Sequence, residues 1–221
     1  MVGRRSIAKW LGLGSKRISR TGLYSFLDAE FARIPPRARV LSVGAGGDIN
    51  ERLCRIASER GFEVIQIDID PKRGADVVGD IQTWQTDQPF DFVVISEVLE
   101  HLTDPNAAVT NIHELLRSRG RLIATLPFIF PIHGSSDYYR FTRLGIEHLF
   151  RKFHDVTIRS RASWPEAFGV LAVRLARERG RRGLELFVVP AALAAAPVLR
   201  LVGRLLPSEI ITIGYTVVAT R

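Results

Sequence analysis

Residues 41–50, LSVGAGGDIN, place three glycines in four positions directly behind a short apolar run. The run Arg39–Val43 predicts a buried strand, and an apolar pattern of helical spacing follows the glycines as far as Gly61. The segment from Asp48 to Glu51 has the form of a capping box with an acidic cap, so we expect Asp48 to begin this helix. A strand, a glycine turn and a helix N-terminus together present backbone N–H groups to a ligand. The stretch therefore predicts a close fit around an anionic or nucleoside-bearing ligand.

The alternation of strand and helix continues beyond this unit. Further strands are predicted at residues 62–68, 75–80, 90–96, 121–128, 155–160 and 210–220, and helices at 104–120 and 142–153. This order predicts an α/β fold with a mostly parallel sheet and helices on both faces. The strands are nearly continuous apolar runs, as is typical of strands buried on both faces. Ligands of such sheets bind outside the carboxyl ends of the strands, so the loops there are the candidates for function.

Charge is distributed unevenly along the 221 residues. Residues 1–40 carry a net charge of +7, residues 41–173 carry −4 and residues 174–221 carry +5. Because the basic residues lie at both ends, the single basic face of a nucleic-acid-binding protein is not predicted, and we expect no nucleic-acid partner. The one cysteine, Cys54, excludes an internal disulfide and suits a reducing, cytoplasmic compartment. The N-terminus lacks the long apolar segment and the cleavage pattern of a signal peptide.

Two common nucleotide-binding fingerprints do not fit the glycine turn. The dinucleotide pattern needs a third glycine at the position of Ile49, and the Gly-Lys-Ser/Thr of a P-loop is absent. The turn resembles motif I of class I S-adenosylmethionine-dependent methyltransferases, in which an acidic residue and any residue precede G-x-G-x-G. It matches this motif at Gly44 and Gly46. It departs from the motif where Ser42 replaces the acid and Asp48 replaces the third glycine.

Later segments extend the resemblance in the family's order along the chain. VIQIDIDP ends a predicted strand at Asp68, 24 residues after Gly44, with Asp70 as a competitor for the same role. GDIQ supplies Asp80, and FDFVVISEVLEHLTDP is similar to the family's fourth-strand motif. The resemblance covers roughly residues 38–160. It implies a Rossmann-like methyltransferase fold, with a mostly parallel sheet and an antiparallel C-terminal strand.

The resemblance implies S-adenosylmethionine as the cofactor. The glycine turn would approach it closely, the carboxylate at the strand end would accept the ribose hydroxyls, and the GDI segment would meet the adenine. The cofactor-binding residues expected on this basis are Gly44, Ala45, Gly46, Asp68, Ile69, Asp80, Ile81, Ser96 and Glu97. From the residues alone, Asp80 could be a solvated loop carboxylate, and Glu97 and Glu100 could be exposed helix charges.

A second candidate segment, rich in polar and aromatic residues, follows the fifth predicted strand: FPIHGSSDYYRFT at residues 130–142. It is similar to a loop of methyltransferases found with polysaccharide and lipid-glycan synthesis, in which H-x-x-x-D-Y-Y-R-F-T closes over the cofactor. Aromatic rings can stack on sugars, arginine can grip an anion, and histidine can remove a hydroxyl proton. We expect His101 and His133 to be catalytic and Asp137, Tyr138, Tyr139 and Arg140 to bind the acceptor, and we assign no metal ligands. The alternative is a structural loop in which Arg140 pairs with Asp137.

Three segments organise the predicted chain. They are a basic helical segment at 1–37, the methyltransferase domain at 38–163 with 207–221, and a helical insertion at 164–206. The insertion contains the apolar run Leu186–Leu199, which has 14 residues and two prolines and is short for a membrane span. Its basic neighbours suit an interfacial helix at a membrane, while a lid or a homodimer interface explains the run equally well.

These observations predict a cytoplasmic S-adenosylmethionine-dependent methyltransferase, peripheral to the membrane, that acts on a small-molecule, sugar or lipid-linked glycan acceptor. The alternative is a non-catalytic, membrane-associated assembly protein that binds a nucleoside. Ser42 keeps that alternative open, because the customary acid helps to hold the amino-acid end of the cofactor.

Overall fold

The computed structural model describes residues 2–177 and 183–221, and the chain divides into two compact units. The sheet unit comprises Tyr24–Pro127, His133–Arg159 and Tyr215–Arg221. The helical unit comprises Met1–Leu23, Phe128–Ile132 and Ser160–Gly214. The first 23 residues of the predicted N-terminal segment and the insertion thus share the helical unit. Residues 24–37, the loops after the first four strands, and the loop at 133–140 lie in the sheet unit.

The described helices and strands follow the alternation that the sequence predicts. In chain order they are α1 (Val2–Ser19), α2 (Leu23–Phe31), β1 (Arg39–Val43), α3 (Gly47–Arg60), β2 (Glu63–Asp68), β3 (Val77–Val78), β4 (Phe90–Ser96), α4 (Pro105–Leu115), β5 (Leu116–Pro127), α5 (Arg143–Leu149), β6 (His154–Ser160), α6 (Trp164–Ala176), α7 (Glu185–Leu205) and β7 (Gly214–Thr220). Short 3-10 helices lie at Pro71–Arg73 and Leu99–His101.

Within the described residues the sheet has seven strands in the order β3-β2-β1-β4-β5-β7-β6. The pairs β2–β3, β1–β2, β1–β4 and β4–β5 are parallel. The C-terminal strand runs the other way: the N–H of Arg119 donates to the carbonyl of Arg221, whereas the N–H of Phe128 donates to that of Ile213. The predicted α/β sheet, mostly parallel with an antiparallel C-terminal strand, is confirmed.

The central strands form the core of the sheet unit. Leu41 of β1, Val93 of β4 and Leu122 of β5 are each 0% exposed, and the residues next to them in the sequence, Val40, Val94 and Ile123, are at most 1% exposed. Because successive side chains of a strand point to opposite faces, consecutive buried residues mean that both faces are covered. The topology therefore brings the carboxyl ends of β1, β2 and β4 to one edge of the sheet, where the loops that follow them begin.

The predicted end at Gly120 of the helix at 104–120 is wrong, because α4 stops at Leu115 and β5 starts at the next residue. Leu116 already pairs with Phe90, and the register then shifts before the regular pairing of β4 and β5 resumes. Gly120 lies inside this irregular part of β5, where a Cβ would come within 2.8 Å of the carbonyl oxygen of Arg117. The glycine therefore accommodates a bulge in a strand instead of terminating a helix.

The predicted cap at Asp48 is also wrong. The N-cap of α3 is Gly46, and no side chain caps it. The carboxylate of Asp48 accepts a hydrogen bond of 2.9 Å from the hydroxyl of Tyr24 instead. Gly46 and Gly47 both have positive φ, and the N-cap at Gly46 lies two residues before the one that the cap pattern indicates. Asp48 consequently lies in the first turn, where its charge still suits the positive end of the helix dipole.

The helical unit has a small apolar core of its own. Leu11 and Ile18 of α1, Val170 and Val173 of α6, and Val189 of α7 are buried in it. Gly203 allows α7 to approach the start of α6 closely, because a Cβ there would lie 2.4 Å from Ser163. Only Val189 and Gly203 of α7 are buried. The other residues of this long apolar helix are half-buried or exposed within the described part of the chain.

Candidate functional site

The glycine turn after β1 has a backbone that other residues cannot adopt without strain. Gly44 has a φ of 87°, and a Cβ there would come within 2.8 Å of the Val98 side chain. Gly46 has φ 79° and ψ 173°, a combination that is essentially restricted to glycine. A Cβ on Gly46 or Gly47 would meet no atom within 4 Å. The turn thus presents bare backbone beside open space, which suits the close approach of a ligand.

The carboxylate of Asp68 joins this turn to the end of β2. One oxygen accepts a hydrogen bond from the N–H of Ala45 at 2.8 Å, and the other accepts one from the N–H of Asp70 at 2.9 Å. A carboxylate has about four acceptor positions, so Asp68 retains the capacity to accept ribose hydroxyls. Asp70, the competitor, instead caps the 3-10 helix by accepting from the N–H of Lys72. The geometry favours Asp68 for the ribose role.

The loop after β3 is held in place by a residue of α4. The buried side chain of Asn111 donates to the carbonyl of Ile81 at 2.8 Å and to that of Trp84 at 2.7 Å. The carboxylate of Asp80 accepts from the backbone N–H and the side chain of Gln82. Asn111 is not among the residues predicted from the sequence, and the one signal for it there is an amide on the otherwise apolar face of α4. Its hydrogen bonds fix the position of Ile81, the residue expected against the adenine.

Glu97 follows β4 in a strained conformation. Its φ is 55°, which is uncommon for a residue other than glycine, and its carboxylate accepts from the hydroxyl of Thr125 at 3.0 Å. The hydroxyls of Ser96 and Thr125 lie 2.7 Å apart. Thr125 is fully buried in β5. Strain that is held by surrounding contacts is often found at functional sites. Here the hydrogen bond from Thr125 fixes the Glu97 side chain just beyond the end of β4.

Glu100 lies in a buried environment and not on the surface of a helix. The alternative that it is an exposed helix charge is wrong, because its side chain is 0% exposed. Its backbone carbonyl accepts from the N–H groups of Tyr138 and Tyr139. Within the described residues, neither carboxylate oxygen of Glu100 has a hydrogen-bond partner. Burial, and then the charge of Glu97, raise the pKa of Glu100 well above its ordinary value.

His101 and His133, the two predicted catalytic residues, lie next to each other beside Glu100. Their rings pack edge to face with centroids 5.0 Å apart. The Nδ1 of His101 lies 2.7 Å from the carbonyl oxygen of Ser136, and its Nε2 lies 3.7 Å from an oxygen of Glu100. The Nδ1 of His133 lies 3.1 Å from a carboxylate oxygen of Asp137. The structure therefore brings together two histidines that are 32 positions apart in the sequence.

The 133–140 loop is organised around the pair of Asp137 and Arg140. Both terminal nitrogens of Arg140 donate to the carboxylate of Asp137, whose side chain is 1% exposed. These hydrogen bonds hold the pKa of Asp137 well below its ordinary value and raise that of Arg140. The ion pair of Arg140 with Asp137, which the alternative of a structural loop predicts, is thus present. Arg140 orders the loop, and its role toward an acceptor stays a prediction.

The two tyrosines of this loop keep surface available for a partner. Tyr138 is 56% exposed and Tyr139 is 38% exposed. The hydroxyl of Tyr139 donates to the carbonyl of Thr103 at 2.9 Å, which fixes that ring. Exposed aromatic faces in this loop are suited to stack on a ring or a sugar. Whether the nine predicted cofactor residues and these four loop residues bind their ligands stays a prediction that the geometry permits.

Comparison with known proteins gives one family. The family model described as "Methyltransferase domain" matches residues 16–164. The ubiquinone/menaquinone biosynthesis C-methyltransferase UbiE of Vibrio cholerae is 31% identical over 136 residues, which are 52% of this chain and 51% of that protein. UbiE of Haemophilus ducreyi is 32% identical over 127 residues, which are 48% of this chain and 49% of that protein. The chain therefore spans about half the length of the curated relatives it matches.

Solved structures agree in fold. Phosphoethanolamine N-methyltransferase 2 of Haemonchus contortus, in complex with S-adenosyl-L-methionine, has a TM-score of 0.56 and 19% identity, covering 87% of this chain and 50% of that one. A putative methyltransferase of Haloferax volcanii, in complex with the Trm112 methyltransferase activator, has a TM-score of 0.61 and 16% identity over 96% of both chains. At these identities the likeness shows the fold alone.

Proposed function

Because this chain belongs to the family of methyltransferase domains and is an S-adenosylmethionine-dependent methyltransferase, we propose that it methylates a lipid-linked acceptor at the cytoplasmic face of a membrane. Membership of the methyltransferase domain family favours catalysis over the alternative of a non-catalytic assembly protein. The observation that carries the lipid-linked part of the proposal is the partly exposed apolar helix α7.

The residues at the carboxyl ends of the strands fit the cofactor. Gly46 presents backbone beside open space, and Asp68 keeps acceptor capacity for the ribose hydroxyls. Ile69, at the end of β2, is 69% exposed and offers an apolar surface for the adenine. We propose that the cofactor is held by Gly44, Ala45, Gly46, Asp68, Ile69, Asp80, Ile81, Ser96 and Glu97. When bound, S-adenosylmethionine supplies a methyl group that its positive sulfur has already activated.

The acceptor is proposed to face the two histidines and the 133–140 loop. The exposed rings of Tyr138 and Tyr139 would cover the acceptor, exclude water and align its reacting atom. A hydroxyl acceptor must lose a proton, and we propose that it does so beside His101 and His133. A lipid-linked sugar is the headgroup implied by the resemblance of this loop. A second candidate is carbon methylation of a quinone-type ring, which the names of the UbiE relatives favour.

The membrane contact is proposed from the properties of α7. Among the described residues, α7 is the one helix whose length and composition suffice to cross a membrane, with 21 residues, a mean hydropathy of 2.0 and 6% of its most apolar window buried. Phe187, Val198 and Leu205 are exposed on it. Arg204 adds positive charge at its C-terminal end, where Arg200 pairs with Glu166. An apolar helix with such a basic end suits the interface of an anionic membrane.

The decisive experiment compares lipid-linked with soluble acceptors. The full chain is incubated with S-adenosylmethionine labelled in its methyl group and with anionic vesicles that carry a prenyl-linked sugar or a hydroxylated prenyl quinone. The same headgroups without lipid serve as the comparison. We expect label in the lipid fraction and at least tenfold less in the soluble analogues. Equal labelling of both, or of the soluble analogues alone, would contradict the lipid-linked acceptor.

A set of variants isolates the role of α7. Phe187→Glu, Val198→Glu and Leu205→Glu together should abolish flotation with anionic vesicles while leaving the affinity for S-adenosylmethionine unchanged. Leu144→Glu is the matched control, because Leu144 is an exposed apolar residue of α5 in the sheet unit. Flotation that survives the triple substitution, or a homodimer in solution that the substitution dissociates, would assign α7 to a protein interface instead.

A further inference from the structure

We propose that Glu100, His101 and His133 bind a divalent first-row transition metal ion. One ligand atom from each of these residues lies within 4.8 Å of the other two. The three residues come from two separate segments, the 3-10 helix at Leu99–His101 and the start of the 133–140 loop. Neither segment alone carries a metal-binding pattern, so only the fold creates the set.

Glu100 supplies an independent observation that points to a cation. Its side chain is fully buried, and within the described residues neither carboxylate oxygen is hydrogen-bonded. Burying a carboxylate without a partner is costly, so such a group requires a proton or a positive charge. The guanidinium of Arg140 is directed at Asp137 through both of its terminal nitrogens. The Nε2 of His101 lies 3.7 Å from an oxygen of Glu100.

His101 is oriented in the way that metal ligands usually are. Its Nδ1 faces the carbonyl oxygen of Ser136 at 2.7 Å. An acceptor at Nδ1 fixes the proton on that nitrogen and places the metal-binding lone pair on Nε2. Asp137, held by Arg140, accepts a hydrogen bond of 2.7 Å from the backbone N–H of His133 and would thus be a positioning residue for that histidine.

The donor set indicates which metals fit. Two imidazole nitrogens and one carboxylate oxygen suit zinc or iron, whereas magnesium and calcium prefer oxygen ligands alone. Metal–ligand bonds of about 2.0–2.2 Å place the ligand atoms of a tetrahedral site roughly 3.4 Å apart, so binding would draw the set together by about 1 Å. His101 and His133 are 31% and 38% exposed, which leaves room for a further ligand on the open side.

The catalytic consequence rests on the proposed function. A hydroxyl oxygen of the acceptor that binds the ion loses its proton more easily, so coordination by the histidines replaces proton removal by them. The proton passes to solvent water. The oxygen electron pair forms the bond to the methyl carbon, and the carbon–sulfur bond breaks with its electron pair remaining on sulfur. Metal binding itself does not depend on the identity of the acceptor.

The experiment is calorimetric titration of Zn²⁺ into the full chain after treatment with a chelator. We expect one ion per chain, with at least roughly 100-fold weaker binding in Glu100→Gln and in His133→Gln. His113→Gln is the matched control, because His113 is a partly buried histidine of α4 outside the set, and its affinity for Zn²⁺ should equal that of the unaltered chain.

A spectroscopic titration with Co²⁺ separates loss of the site from loss of the fold. The unaltered chain should develop the visible absorption of a low-coordinate cobalt site, and Glu100→Gln should not, although it still binds S-adenosylmethionine. Absence of Zn²⁺ binding by the unaltered chain, or equal binding by all three variants, would overturn the metal site. Because no acceptor is present in either titration, failure of the acceptor proposal would leave these results unaffected.

Discussion

Replacing Gly46 with alanine tests whether the backbone of the glycine turn is a ligand surface. With φ 79° and ψ 173°, Gly46 occupies a region that costs other residues about 1–3 kcal/mol. A Cβ there would meet no atom within 4 Å, so the cost is conformational and no steric clash adds to it. We expect Gly46→Ala to lower the free energy of unfolding by about 1–3 kcal/mol, and Tm by roughly 2–4 °C for each kcal/mol.

Gly61→Ala provides a matched control at the other end of the same helix. Gly61 is the C-cap of α3, with φ 74° and ψ 44°, and a Cβ there also meets nothing within 4 Å. A left-handed conformation costs alanine about 1–2 kcal/mol, of which about 0.4–1 kcal/mol is offset by the less flexible unfolded chain. The 14 residues of α3 separate the two glycines by about 20 Å. Gly61→Ala therefore perturbs stability without approaching the glycine turn.

The assay is calorimetric titration of S-adenosylmethionine at a temperature where both variants are folded. The methyl group on residue 46 projects into the space assigned to the cofactor, so we expect at least about tenfold weaker binding, or about 1.4 kcal/mol. Gly61→Ala should bind within about twofold of the unaltered chain. If Gly46→Ala also binds within twofold while it unfolds at the expected lower temperature, the bare backbone at Gly46 does not contact the cofactor, and the reasoning fails.

Three further predictions address single side chains. Asp68→Ala should lose about 1–3 kcal/mol of S-adenosylmethionine binding, measured by calorimetry, whereas Asp70→Ala should lose little; equal losses would contradict the assignment of the ribose to Asp68. Asn111→Ala leaves two loop carbonyls without their donor and should cost about 2–4 kcal/mol in urea unfolding, with no change expected if the loop were held elsewhere. The pKa of His113 is lowered mainly by burial, so the folded chain binds its proton less readily than the unfolded chain, and stability should fall as pH drops below the ordinary value of 6.5. His113→Gln should reduce this loss in thermal unfolding between about pH 7 and about pH 5, and an unchanged slope would rule out His113 as its source.

The parallel core could be predicted because strands buried on both faces leave a strong mark on the sequence. Leu41 and Val93 lie in continuous apolar runs bounded by turn residues. These runs have the length of strands and are shorter than typical helices. The boundary at Leu115–Leu116 could not be predicted in the same way. Both leucines are buried, one at the end of a helix and the other in a strand, and the apolar pattern does not distinguish these environments. Only the pairing of Leu116 with Phe90 decides the boundary.

The strand-end residues of the site could also be predicted, because parallel topology alone brings the ends of β1, β2 and β4 to one edge. The environment of Glu100 could not. Its burial depends on the 133–140 loop, whose N–H groups at Tyr138 and Tyr139 bond the Glu100 carbonyl from a distant part of the sequence. The cluster of Glu100, His101 and His133 likewise exists only after the loop has folded. Local patterns describe such residues as ordinary surface charges.

Ser42, where the sequence departs from the family motif, takes part in the hydrogen bonding of the glycine turn. Ser42 is buried, and its hydroxyl donates to the side-chain oxygen of Asn50 at 2.5 Å. The amide nitrogen of Asn50 donates in turn to the carbonyl of Gly44 at 2.8 Å. A carboxylate at position 42 would place a buried negative charge against that same amide oxygen, which is unfavourable. The serine and Asn50 therefore form a neutral pair that holds the first glycine of the turn, so the turn is built without the family's acid.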